Sequence, residues 1–186
     1  MEIYVMRHTA VDVPTGVCYG QTDVPLLNGY TDEIKITKQR IPNDIDAIFS
    51  SPLRRCTFIA EEFNQFYSTD DRLLEMDFGA WEMQPWDEIS KQSFDNWMSN
   101  IVNTSPPYGE NLMTVQQRVT SFLDELRQQK YNKVLLITHG GPMRCMWNYL
   151  LNTPLENTFK IPVGYGEVLH FNLGETKKDD YIVEKM

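Results

Sequence analysis

The sequence predicts an α/β fold: a mostly parallel central sheet with helices on both faces. Three observations predict it. A β-prone run, Glu2-Ile3-Tyr4-Val5-Met6, stops abruptly at Arg7-His8. A continuous branched run, Val134-Leu135-Leu136-Ile137, has the character of a parallel strand buried on both faces. Between such runs lie segments with apolar residues at helical spacing, and strands alternating with helices build layered α/β domains.

In chain order, Glu2–Met6 is the first strand, and the Gly/Pro/Asp-rich stretch from Val11 to Pro25 is loop. A helix is expected over Tyr30–Arg40. Ile45–Phe49 reads as a buried strand that stops at Ser50-Ser51-Pro52. Pro52 suits the first position of a helix, where its missing N–H would be unpaired anyway. That helix is expected to reach about Tyr67, on a stripe of Phe58, Ile59, Phe63 and Phe66. Arg72–Glu75 is a short strand candidate leading into Asp77-Phe78-Gly79. Residues 83–110, with their tryptophans and Pro106-Pro107, read as one irregular, partly helical lid insertion.

Leu112–Gln129 carries the best helical pattern, with Val115, Val119, Phe122, Leu123 and Leu126 on one stripe. The strand at Val134–Ile137 then halts at Thr138-His139-Gly140-Gly141, and a helix follows from Pro142 to about Leu151. Val168–Leu173 and Tyr181–Glu184 are terminal strands near a sheet edge. No repeat or interdomain linker interrupts the pattern, so residues 1–186 read as one domain.

Composition narrows the function classes. With 41% hydrophobic and 23% charged residues, the chain can bury a core, and disorder is not expected. No apolar run approaches the roughly 20 residues needed to span a membrane, and the N-terminus does not read as a signal peptide. Cys18, Cys56 and Cys145 are odd in number, widely spaced and free of any Cys-x-x-Cys pair. They read as reduced thiols in a cytoplasm rather than a disulfide framework or zinc site. A net charge of −9 argues against nucleic-acid or anionic-membrane partners. Any anionic substrate must therefore be held by a local cluster of cations.

Such a cluster is suggested by four residues that follow strand ends: His8, Arg55, Glu75 and His139. Sites in open α/β sheets form at the carboxyl ends of strands. One strand-end histidine alone is more often structural, but four polar residues at one edge form a set. Arg7 and Arg55 can clamp a phosphoryl group, because a guanidinium presents a planar fork of donors. His8 can attack phosphorus through a neutral ring nitrogen. His139 can donate to the phosphoryl oxygens as charge spreads over them. Glu75 can act as general acid and later activate water. Two histidines and a carboxylate can also hold a metal, but adjacent arginines would repel the cation, so no metal or other cofactor is expected.

The motifs Arg7-His8-Thr9, Ser50-Ser51-Pro52-Leu53-Arg54-Arg55, Leu74 to Glu82 and Thr138-His139-Gly140-Gly141 resemble the histidine phosphatase (phosphoglycerate mutase-like) superfamily, in order and spacing over most of the chain. The resemblance implies that His8 is the phosphorylated nucleophile and Glu75 the proton donor, with Arg7, Arg55 and His139 completing the phosphate pocket. Thr9, Gly140, Gln21 and Thr22 join Arg7, Arg55 and His139 as the expected substrate-binding set. Gly16 to Leu26 and Asp77 to Glu82 resemble the α-ribazole phosphatase branch. That branch implies a small-molecule phosphate ester, α-ribazole 5′-phosphate or the phosphorylated cobalamin precursor. The rivals are a phosphoglycerate mutase, a broad-specificity sugar or nucleotide phosphatase, and a catalytically silent phospho-ligand binding module.

Other residues read more plainly. His170 is structural or superficial on its strand, Cys56 and Cys145 are small core hydrophobes, and Cys18 is a loop thiol beside the site. Arg54 points away as a surface charge, and Lys177 to Asp180 is a turn with solvated charges. Trp81, Trp86 and Trp97 either cover a flat aromatic ligand or pack the insertion. Arg144 either adds charge at the site or forms a helix salt bridge. Thr9, Cys56 and Met83 depart from the family pattern, and Met83 bears on substrate range.

Overall fold

A computed structural model of the protein describes residues 1–186. Six strands form one sheet: β1 (Glu2–Arg7), β2 (Ala47–Ser50), β3 (Tyr67–Thr69), β4 (Lys133–Thr138), β5 (Val168–Asn172) and β6 (Tyr181–Lys185). Their spatial order is β3-β2-β4-β1-β5-β6. The first four in that order run parallel, and β5 and β6 close one side antiparallel.

Alternation along the buried strands splits the core in two. Ile3 and Val5 of β1 join Val134 and Leu136 of β4 on one face. There they pack against α4 (Leu112–Leu126) and α5 (Gly140–Leu151), which follow α3 (Lys91–Ser99) in the chain. Tyr4, Met6, Leu135 and Ile137 face the other way, against α1 (Tyr30–Lys38) and α2 (Arg54–Glu61). The stripe expected on α4 is its buried face, from Val115 to Leu126. Its N-terminus is closed by Asn111, whose side chain accepts from Thr114 N at 2.9 Å. No helix is long and apolar enough to cross a membrane.

Two expectations are corrected. The helix after Pro52 begins only at Arg54 and ends at Glu61 rather than near Tyr67. Asn64 takes a left-handed φ of 52°, and the chain then re-enters the sheet as β3. Phe66, counted on the helical stripe, is 86% exposed. The expected strand at Arg72–Glu75 is instead a 3-10 turn (Asp71–Leu73) and extended chain, with β3 preceding it. Register explains the shift: Ile48, Phe49 and Ser50 pair with Tyr67, Ser68 and Thr69, so the edge position is already filled.

The charges at Lys177 to Asp180 also differ from expectation at one member. Asp180 is 1% exposed and pairs with the 7%-exposed Arg127 at 2.7 Å. His170 stacks on Tyr4, 4.2 Å between ring centres, between Glu2 and Glu184. Cys18, Cys56 and Cys145 are unpaired and buried. Burial pushes the Cys18 thiol up to about 12, so it is no reactive thiolate.

Candidate active site

Parallel register assembles the site. Arg7 pairs with Thr138 and Ser50 with Ile137, so His8, Ser51 and His139 leave the sheet side by side. His8 N donates to Thr138 O at 3.0 Å, and Ser51 N to Ile137 O at 2.9 Å. The two imidazoles meet edge to face, 5.1 Å apart, and both are buried.

His8 Nδ1 lies 2.8 Å from Thr9 O. A carbonyl only accepts, so Nδ1 carries the proton and Nε2 keeps its lone pair. Burial first, then the charges of Arg55 and Arg7, hold the His8 pKa well below the usual 6.5. The ring is therefore neutral at pH 7, as a nucleophile must be.

Arg55 is fully buried near the start of α2. Its Nη1 donates to Thr22 O at 2.8 Å and its Nη2 to Gly20 O. That loop is itself pinned by Glu82, whose carboxylate accepts from Gly20 N (2.9 Å), Gln21 N (3.0 Å), Thr22 N (3.2 Å) and Phe78 N (3.1 Å). Burial alone would raise the Glu82 pKa; these donors outweigh it and hold the carboxyl below its usual range. Arg7 donates from Nη1 to Val163 O at 2.7 Å, while its buried Nε has no partner.

Both nitrogens of His139 are engaged. Arg55 Nε donates to Nδ1 at 3.2 Å, which leaves the proton on Nε2 to be donated to Ser51 Oγ at 2.7 Å. Burial, then Arg55, lowers the His139 pKa well below 6.5. A phosphoryl contact by Nε2 would replace the Ser51 bond.

Glu75 reaches the site from extended chain that Arg118 holds in place. That guanidinium donates to the carbonyls of Arg72 (2.9 Å), Leu74 (2.6 Å) and Glu75 (3.0 Å), and it pairs with Glu110 at 3.0 Å. The Glu75 carboxylate accepts from Gly141 N at 3.0 and 3.2 Å, in the first turn of α5. A helix N-terminus favours a negative charge there. A Cβ on Gly141 would come within 2.1 Å of Glu75 Oε1, so only glycine lets the carboxylate dock.

The structure thus brings His8, Arg7, Arg55, His139 and Glu75 together. The other expected substrate-binding residues meet the protein itself. Gln21 Nε2 donates to Glu75 O at 3.0 Å, Thr22 turns its carbonyl to Arg55, and Thr9 its carbonyl to His8, with Oγ1 buried and unpartnered. Gly140 leaves room for two guanidiniums: a Cβ there would sit 3.0 Å from Arg144 Nη1 and 3.4 Å from Arg7 Cζ. Arg144 forms no helix salt bridge; its Nε donates to Ile161 O at 2.9 Å. Arg54 is exposed and lies against Phe58, as expected.

Beside Glu75, a cavity of about 90 Å³ is lined by Gly141, Arg144, Phe78 and Phe159. Phe78 and Phe159 also wall an adjoining cleft of about 260 Å³ with Trp86, Phe94, Trp97 and Ile101, entirely apolar. Trp81 is buried in the core; Trp97, also buried, and Trp86, stacked on it at 6.2 Å, both line this cleft. Met83 is 47% exposed and takes a φ of 63°, a left-handed conformation that glycine adopts without strain.

The sequence motifs contain Ser51 and Glu82 without assigning them a role, and Glu110 and Arg118 were given none. One signal was available for Arg118: it lies on the same helical face as Val115, Val119 and Phe122, where a charge must find buried partners.

Comparison with known proteins identifies the family and the fold. The histidine phosphatase superfamily (branch 1) model matches residues 3–180. A putative phosphoserine phosphatase 2 of Hydrogenobacter thermophilus is 30% identical over 168 residues, covering 86% of this chain and 83% of the relative. A probable phosphoglycerate mutase of Yersinia pestis is 29% identical, covering 83% and 76%. The α-ribazole phosphatase of Shigella flexneri superimposes with a TM-score of 0.83 over 92% of this chain and 90% of that one, at 22% identity.

Proposed function

From a chain that belongs to branch 1 of the histidine phosphatase superfamily, and is a phosphatase of that family, we propose a phosphomonoesterase working through a phosphohistidine on His8. The observation that carries it is the contact of His8 Nδ1 with Thr9 O, which puts the ring proton on Nδ1 and leaves Nε2 its lone pair, while burial and the charges of Arg55 and Arg7 keep the ring neutral. In this reading Nε2 attacks phosphorus and the bond from phosphorus to the alcohol oxygen breaks. Arg7 and Arg55 neutralise the spreading charge, and protonated Glu75 gives its proton to the departing oxygen. The Glu75 carboxylate then takes a proton from water as the water oxygen attacks phosphorus. Nε2 leaves, and inorganic phosphate is released.

The substrate best supported is α-ribazole 5′-phosphate or a phosphorylated cobalamin precursor. The Gly16–Leu26 resemblance supports it, and so does the apolar, aromatic-walled cleft that adjoins the small cavity at Glu75, which suits a flat apolar base on the alcohol half. A second reading, a phosphoserine-type phosphatase, is favoured by Arg144. Its guanidinium stands beside Glu75 without a carboxylate partner and suits an anionic alcohol half.

The test is a rate comparison of α-ribazole 5′-phosphate with phosphoserine, sugar phosphates, nucleotides and phosphoglycerates. A preference for α-ribazole phosphate by tenfold or more in kcat/KM supports the first reading; a preference for phosphoserine replaces it. His8→Ala should abolish hydrolysis and the acid-labile, base-stable phosphoryl label, and retained turnover sinks the mechanism. EDTA should leave the rate unchanged.

A further inference from the structure

Two tyrosines roof the site. Tyr19 comes from the loop that also holds Arg55, and Tyr165 from the chain just before β5. Their hydroxyl oxygens lie 2.5 Å apart. The Tyr165 ring lies 3.9 Å from Arg7 Cζ and 5.6 Å from the His8 ring centre. The Tyr19 ring centre is 5.6 Å from Arg55 Cζ. Each phosphate-binding arginine is thus covered by one aromatic ring, and the hydroxyl–hydroxyl bond closes the span above a nucleophile that is 1% exposed.

We propose that Tyr19 and Tyr165 are two further substrate-binding residues, whose hydroxyls bond each other in the free protein and turn to the phosphoryl oxygens when a phosphomonoester enters. The inference rests on the phosphatase reading of His8 and adds two donors to it. No phosphoester reaches His8 Nε2 between Arg7 and Arg55 while the pair is closed over them. Once parted, each hydroxyl loses its partner, and the acceptors arriving at that moment are the oxygens held by the two arginines. A hydrogen bond to a charged oxygen is stronger than one between neutral hydroxyls, so the exchange runs downhill. Burial first, then the bond to Tyr165, pushes the Tyr19 phenol above its usual range, so it keeps the proton it would donate.

The local backbone suits the movement. Tyr165 stands between Gly164 and Gly166, and Gly166 takes a φ of 65°, which glycine adopts without strain. Gly166 N donates to His8 O at 3.2 Å, so the hinge is anchored to the nucleophile's own backbone. Tyr165 is itself 45% exposed, with space to swing outward.

The exchange predicts an unusual double-mutant cycle. Binding in the wild type breaks one hydroxyl pair and forms two new bonds. Each single phenylalanine variant has already lost the pair, so it forms one bond at no such cost. The measurement is the Kd of inorganic phosphate and of orthovanadate by calorimetry, for the wild type, Tyr19→Phe, Tyr165→Phe and the double variant, with thermal unfolding confirming that each is folded. Each single change should weaken binding about 5-fold, and the double change by about 100-fold or more, beyond the roughly 25-fold product. Unchanged or tightened binding, or a double variant equal to the product, overturns the proposal. A wild type that binds neither oxyanion overturns the phosphatase reading itself, which separates the two failures.

Discussion

Arg55 Nε donates to His139 Nδ1 at 3.2 Å, and this bond decides which nitrogen of His139 carries its proton. The same guanidinium holds the carbonyls of Gly20 and Thr22. One buried side chain therefore joins α2, the end of β4 and the Gly20–Thr22 loop. A lysine has no fork to reproduce this. Arg55→Lys should lower kcat/KM by about 100-fold or more and destabilise the fold by about 2–4 kcal/mol, since buried acceptors lose their donors. Steady-state kinetics and urea unfolding read both; wild-type values in either remove Arg55 from that role.

His8 and His139 should shape the pH dependence of stability. Their folded pKa values lie well below 6.5, whereas in the unfolded chain they titrate near 6.5. Below about pH 6.5 the unfolded state binds more protons, so stability falls on acidification and is fully present above that pH. Each histidine contributes at most about 1.4 kcal/mol per pH unit in that window. His8→Asn should flatten the slope between pH 5 and 6.5 by close to one proton. An unaltered slope in denaturant titrations would show that His8 is not buried neutral. The acid limb of kcat/KM should likewise lie below pH 6.5.

Glu75 and Gly141 should behave as a unit. Glu75→Gln removes the transferable proton, so alkyl phosphates should lose far more rate than nitrophenyl phosphate, whose leaving group needs no proton. Gly141→Ala puts a methyl where the carboxylate sits. It should give the same selective loss, about 10- to 100-fold on alkyl esters, although Glu75 is intact. Equal losses on both ester types would detach Glu75 from the acid role.

Arg144 separates the two substrate readings. If the alcohol half carries an anion, Arg144→Gln should cost about 10-fold or more in kcat/KM for phosphoserine and less than about 2-fold for phosphoethanolamine, which lacks the carboxylate. Equal, small effects on both place Arg144 in the loop architecture through Ile161 O alone.

Much was already written along the chain. The short, branched run Val134–Ile137 reads as a buried strand and the periodicity of Leu112–Leu126 as a helix burying one stripe, so length, branching and spacing point to the layered fold. The polar residues that break off at those strand ends, His8 and His139 above all, mark the site's edge because a parallel sheet exposes its loops there. The short β3, the early end of α2 and the 3-10 turn before Glu75 were not readable, since edge pairing and a left-handed Asn64 outweigh local pattern.

What tertiary structure alone decided is how each polar group is used. Gln21 tends the Glu75 carbonyl, Glu82 ties down the Arg55 loop, Arg118 holds the Glu75 segment, and Tyr19 meets Tyr165 across a separation of 146 residues. The physical reason is that hydrophobic burial follows periodic patterns along the chain, whereas hydrogen bonds are directional and short. Their partners are chosen only once distant segments arrive within about 3 Å of one another.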